Sequence, residues 1–129
     1  MVEGLKGVIV LSVKIDTTGQ VVTAYLEGDI DHHTAREMRE KIAAEIEQWR
    51  PSLLILDFRD VTFMDSSGIG LVMGRYKSMQ QVAGRVRVTN CSPCIYKVMK
   101  IAGLDRLAEI SAHGAVAPIP APQQKEEQQ

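Results

Sequence analysis

The chain has 129 residues, 45% of them hydrophobic and 24% charged, which suits one compact core, is short for two, and is too apolar for a disordered protein. Its 15 basic and 16 acidic residues leave a formal net charge of -1, so no global cationic field exists to hold nucleic acid or an anionic membrane. Apolar runs fall short of the ~20 residues of a membrane span, no basic-then-apolar export signal opens the chain, and two cysteines make no disulfide framework, so the expectation is a cytosolic protein with reduced thiols.

From Val8 to Ile15 apolar and polar positions alternate, with Ile9, Leu11, Val13 and Ile15 on one face and Ser12 and Lys14 on the other, which predicts a half-buried strand. Thr17-Thr18-Gly19-Gln20 supplies a turn, and Val22, Ala24 and Leu26 alternate with Thr23, Tyr25 and Glu27 on a second strand, giving an antiparallel hairpin. After Gly28 the period lengthens. Ala35, Met38, Ile42, Ile46 and Trp49 take helical spacing opposite Arg36, Glu37, Arg39, Glu40, Glu47 and Arg50, with Thr34 and Glu37 reading as a capping box. Pro51 ends that helix, and the unbroken run Leu53-Leu54-Ile55-Leu56 predicts a central strand covered on both faces.

Asp65-Ser66-Ser67-Gly68 offers a cap for a second helix carrying Ile69, Val72, Met73, Tyr76 and Met79 toward a stop at Gly84. Gly70 and Gly74 share one face of it and permit close backbone approach. Val86 and Val88 alternate with Arg85, Arg87 and Thr89 on a fourth strand, the two arginines on a solvated face. Ser92-Pro93 pairs a cap with proline at the first helical position, Gly103 ends this third helix, and Leu107 to Ile110 forms a short edge strand. Residues 118–129 hold three of the five prolines and a Gln/Glu-rich end, so residues 1–117 are expected to fold and 118–129 to form a disordered tail. The whole is one α/β domain with a mixed sheet of four to five strands, an N-terminal antiparallel hairpin followed by a parallel crossover.

That crossover places the carboxyl ends of the second strand and the central strand on one sheet edge. Asp29-Ile30-Asp31-His32-His33 and Phe63-Met64-Asp65-Ser66-Ser67-Gly68 then become neighbouring loops at helix N-termini. A phosphate on Ser66 suits the helix dipole but adds nearly two negative charges beside Asp65, Asp29 and Asp31. At ~6 Å and an effective dielectric of ~20, each unit pair repels by about 3 kcal/mol before salt screening.

These residues resemble the bacterial anti-sigma-factor antagonists of the STAS domain group, most closely the sporulation type. Gly28-Asp29-Ile30-Asp31-His32-His33-Thr34-Ala35 looks like the family's first loop and helix start. Phe63-Met64-Asp65-Ser66-Ser67-Gly68-Ile69-Gly70 looks like its phosphorylation loop, and Gly74-Arg75-Tyr76-Lys77 and Ser92-Pro93 are similar too. The resemblance implies a non-enzymatic switch protein without a cofactor or metal of its own. Its Ser66 is phosphorylated by its binding partner, an anti-sigma serine kinase that carries ADP or ATP and sequesters a sigma factor. The unphosphorylated form binds that kinase and releases sigma; the phosphorylated form dissociates and awaits a metal-dependent serine phosphatase. Asp29, Asp31, Asp65, Ser67, Gly68 and Ile69 border the contact by the same analogy, and relatives are monomers when free. The proline-rich tail and the cysteines beside Ser92-Pro93 depart from the family pattern.

Blander readings stand beside these. Ser66 and Asp65 serve as helix caps, with Asp65 also placed to bond the Ser66 hydroxyl. His32 and His33 with Asp29 and Asp31 make a poor metal set, since adjacent histidines seldom converge on one ion. Ser66, His33 and Asp31 lack the nucleophile elbow of a serine hydrolase. Cys91 and Cys94 lie at a helix N-terminus that can lower a thiol pKa, so a thiol oxidoreductase is the alternative of another class, and a nucleotide-sensing or scaffold STAS module is the alternative within the fold. Met64, Met73, Met79 and Met99 read as core filler.

Overall fold

The computed structural model describes residues 12–112 and Gly114. Strands β1 (Val13–Thr18) and β2 (Val21–Ile30) pair antiparallel, with Thr18 opposite Val21. Their two-residue loop begins with Gly19 at φ 60°, a conformation that hairpin turns with glycine first require. Helix α1 (His32–Trp49) leads to β3 (Leu53–Met64), α2 (Ser66–Gln81) to β4 (Arg85–Cys91), and α3 (Pro93–Ile101) with a 3-10 turn at Leu104–Arg106 to β5 (Glu109–Ala112). The sheet order is β1-β2-β3-β4-β5, parallel after the first pair. This is the expected mixed α/β sheet, with β3 at its centre. The Ile9 and Leu11 part of the first predicted strand and the predicted tail lie outside the described residues. No described helix is long and apolar enough to cross a membrane.

The rows Val22-Leu54-Val86 and Ala24-Leu56-Val88 run across three strands, and all six side chains are buried. Met38, Ile42 and Ile46 of α1 and Leu71, Val72 and Met79 of α2 join them in one core. Removing a side chain such as Leu54, Leu56 or Phe58 from water contributes about 1.5–3 kcal/mol each, so these rows fix the register of the parallel strands. The opposite face corrects the sequence reading. Leu53 and Ile55 are half-buried and Tyr25 beside them is 45% exposed, so β3 carries one buried row and one partly open row.

Other expectations shift in register. Trp49 is 49% exposed at the end of α1, where the apolar stripe has rotated away from the sheet. On α2 the inward residues are Leu71, Val72, Arg75 and Met79, while Ile69, Met73 and Tyr76 are half-buried. A methyl added at Gly70 or Gly74 would meet nothing within 4 Å, so neither marks a close approach; Gly84 does, because a Cβ there would lie 2.7 Å from the Pro51 carbonyl oxygen. Ser92 caps α3 by accepting from the Ile95 N–H at 3.2 Å, Pro93 opens the helix, and Gly103 at φ 82° follows its end, all as the sequence predicts.

Candidate functional site

The carboxyl ends of β2 and β3 meet as a paired ladder rather than as two loops. Asp29 lies opposite Phe63 and Ile30 opposite Met64, so these four residues, read as loop, belong to the strands themselves. The ladder is irregular. Register shifts between Tyr25 and Glu27 and between Gly28 and Asp29 each give β3 an extra residue, and Gly28 takes φ 83° at the second. Such bulges re-aim the side chains next to them. Thr62 falls in the second bulge without a partner in β2, and its hydroxyl donates to Asp29 Oδ1 at 2.7 Å.

Asp31 then caps α1. Its Oδ1 accepts from the backbone N–H groups of His33 and Thr34, both at 2.9 Å, and its own N–H donates to Thr34 Oγ1 at 3.0 Å. The capping box is therefore Asp31 with Thr34, and the helix starts three residues before the Thr34–Glu37 box would allow. These bonds, the Thr34 N–H first, hold the Asp31 carboxyl below the usual aspartate range, so it is ionised at neutral pH. His32 and His33 sit in the first turn, and His33 Nε2 lies 3.7 Å from Glu37.

Asp65 does the same for α2. Its side chain accepts from the Ser67 N–H at 2.8 Å, its N–H donates to the Ile30 carbonyl at 3.1 Å, and its carbonyl accepts from Gly68 at 3.0 Å. Asp65 thus ties the start of α2 to the end of β2. Ser66 is the first residue of the helix, not its cap, and its exposed hydroxyl bonds to none of the described residues, Asp65 included. Ser67 is half-buried, Ile69 is half-buried against the core, and Gly68 is buried, where a Cβ would collide with Met64 Cγ and Sδ. Gly68 therefore seats the first turn of α2 on the end of β3, a structural task that leaves little of it for a partner to touch.

The edge so built carries three carboxylates, Asp29, Asp31 and Asp65, and the exposed Ser66 hydroxyl, which has no partner among the described residues. Neither His33 nor Asp31 bonds to Ser66 among the described residues: Asp31 accepts from the helix N–H groups and His33 faces Glu37. No group of three or more His, Cys, Asp or Glu side chains among the described residues is placed to hold a metal ion. Cys91 is buried on β4, where burial and, secondarily, Asp57 push its thiol up to about 12, against the lowering expected at a helix start. Cys94 is exposed, and the two form no disulfide.

Sequence reasoning missed three contributors. Thr62 gives no local signal, because its role depends on a bulge between distant strands. Phe63, 55% exposed beside Asp29, is an apolar surface at the site's rim that alternation along β3 would have assigned had the strand been extended to Met64. Arg75, 6% exposed, lies on the inward face of α2, where a charged side chain reads as surface.

A model of the STAS domain matches residues 12–117. The anti-sigma F factor antagonist of Lysinibacillus sphaericus is 41% identical over 87 residues, 67% of this chain and 74% of that protein. The anti-sigma-B factor antagonist of Bacillus subtilis (strain 168) is 28% identical over 102 residues, 79% of this chain and 92% of that one. Among solved structures, the anti-sigma factor antagonist SpoIIAA in its unphosphorylated form has 35% identity and a TM-score of 0.68, over 76% of this chain and 86% of that one. The phosphorylated form of the Bacillus cell fate determinant SpoIIAA has 36% identity and a TM-score of 0.63, over 76% and 89%.

Proposed function

This chain belongs to the STAS domain family and is similar to its anti-sigma-factor antagonists, and on that premise we propose that it is a phosphorylation-controlled antagonist whose switch is Ser66. In its unphosphorylated state it binds an anti-sigma serine kinase, carrying ADP or ATP, and frees the sigma factor; once Ser66 is phosphorylated it lets go, until a serine phosphatase resets it. The protein itself performs no catalysis. The observation that carries this reading is the exposed Ser66 hydroxyl at the first position of α2, on the same sheet edge as the acids of two helix caps and a strand end.

A phosphate there sits at the positive end of the α2 dipole, so the fold tolerates it, while the ionised Asp31 and its neighbours Asp29 and Asp65 sharpen the negative charge offered to a partner. A partner surface arranged for three carboxylates then meets nearly five charges, and even a fraction of the added repulsion is worth tenfold in affinity. Asp29, Asp31, Ser67 and Ile69 line the proposed contact, with Asp65 and Gly68 holding it in shape. The free protein is proposed to be a monomer, with its folded domain within residues 1–117. Calorimetric titration with the cognate kinase tests the reading: Ser66→Ala should bind as the wild type does and resist phosphorylation, and Ser66→Asp should bind about tenfold more weakly. Binding as tight as that of the unmodified wild type, by Ser66→Asp and by protein phosphorylated at Ser66, defeats it.

A further inference from the structure

Helix α2 is built weakly at the end that carries Ser66. Its cap is a single side-chain bond, from the Ser67 N–H to Asp65, where α1 has the reciprocal box of Asp31 and Thr34. Gly68, Gly70 and Gly74 all fall in its first half. A Cβ at Gly68 would collide with Met64, but one at Gly70 or Gly74 would meet nothing within 4 Å, so packing accounts for the first glycine and not for the other two. Glycine populates the helical backbone about fivefold less than alanine, and two of them without a steric purpose loosen the turn between them.

Arg75 adds an independent weakness. It lies on the inward face of α2 and is 6% exposed, yet its Nε and Nη1 find no acceptor among the described residues. Its Nη2 donates to Ser78 Oγ across a long 3.5 Å, and that hydroxyl is itself turned back onto the Gly74 carbonyl at 3.1 Å. Burial and, after it, the like charge of Arg39 disfavour the guanidinium where it lies. A buried charge without a counter-ion regains water when its helix leaves the core, which offsets part of the burial of Leu71 and Val72 that holds this half of α2 down.

We propose that the first half of α2, from Ser66 to Arg75, opens as a unit ahead of the rest of the domain, and that this opening presents Ser66 to the kinase. The presenting role rests on the switch proposed above; the opening does not. In the closed form Asp65 pins the residue before Ser66 to the Ile30 carbonyl and the Ser67 N–H, whereas phosphoryl transfer needs the acceptor oxygen within about 3–3.5 Å of the phosphorus. In the opened form the Ser66 oxygen reaches and bonds the γ-phosphorus of the kinase's ATP, the bond to ADP breaks, and the hydroxyl proton passes to a base of the kinase. The segment then closes with its phosphate at the positive end of the helix.

Amide hydrogen exchange of the full 15N-labelled chain, corrected for intrinsic rates, tests the opening. Amides of Leu71 to Arg75 should exchange at least about tenfold faster than those of Ile42 to Ile46, whose helix packs on the same core. Equal protection of the two helices overturns the proposal. Gly70→Ala/Gly74→Ala fills open space, so it should raise protection of those amides roughly tenfold and slow Ser66 phosphorylation within the kinase complex by a like factor, at unchanged affinity. Arg75→Met keeps an apolar stem and should raise protection too. Raised protection with an unchanged phosphorylation rate overturns the presenting role, as does weaker kinase binding by the alanine variant, which would make the glycines contact residues. Lower protection in Arg75→Met overturns the weakness assigned to the guanidinium. A kinase that leaves wild-type Ser66 unmodified defeats the switch, and the exchange comparison still decides whether α2 opens.

Discussion

Thr62 Oγ1 donates to Asp29 Oδ1 across 2.7 Å, tying a bulged residue of β3 to the acid at the end of β2. Both residues are exposed, so the bond adds little to the fold and chiefly fixes where one carboxylate points. Thr62→Val keeps the branched shape and removes the donor. Chemical denaturation should show a stability loss under about 1 kcal/mol, while calorimetry should show weaker kinase binding. Unchanged binding would mean that the Asp29 orientation is immaterial.

Asp31 gives a pH signature. Its folded-state pKa lies below the ordinary value of 3.8, chiefly through the Thr34 N–H, with the Thr34 hydroxyl and the His33 N–H adding to it. A depressed carboxylate contributes stability that is complete above the unfolded pKa and is lost as pH falls through the folded one. The wild type should therefore lose stability more steeply below about pH 4 than Asp31→Asn, which retains a capping oxygen and cannot titrate. Parallel acid-unfolding curves for the two proteins would contradict the capping geometry.

Gly68 and Met64 should be coupled. A methyl at position 68 runs into the Met64 side chain, so Gly68→Ala should destabilise by about 1–2 kcal/mol despite alanine's better helix propensity. In a Met64→Ala background the clash is gone, and the same change should be neutral or stabilising. A double-mutant cycle by denaturation measures this directly; simple additivity would show that Gly68 seats nothing.

Much of the scaffold was legible because its signals are local. Alternation at Val22–Leu26 and Val86–Val88, the Ser92-Pro93 start of α3 and the Pro51 stop each depend on a few neighbouring residues, and they recur in the structure where the sequence puts them. The site edge was legible as a meeting of two segments, since a parallel crossover dictates it. Its detail was not. Asp29 and Ile30 become strand because bulges in β3 let the two ends pair, and that moves the α1 cap from Thr34 back to Asp31. Arg75 was hidden for the opposite reason, as helical spacing from Leu71 places it inward while its charge marks it as surface.

The two thiols should differ sharply. Cys91 is buried and its thiol pushed up to about 12, so at neutral pH it holds almost no thiolate, whereas Cys94 is exposed. Alkylation of the native protein at pH 7.4, an assay condition chosen near ~7, followed by peptide mapping, should label Cys94 and reach Cys91 only after unfolding. Rapid labelling of Cys91 in the native protein would revive a thiol oxidoreductase.

The switch is tested most directly on Ser66 itself. The chain is incubated with its cognate anti-sigma kinase and Mg-ATP, the modified peptide is mapped, and the affinity of the purified phosphoprotein for the ADP-bound kinase is measured beside that of the unmodified chain. A switch at Ser66 requires one phosphate, on Ser66, an unchanged circular dichroism spectrum, and at least about tenfold weaker binding. Phosphate on another residue, or full affinity with Ser66 phosphorylated, would contradict it.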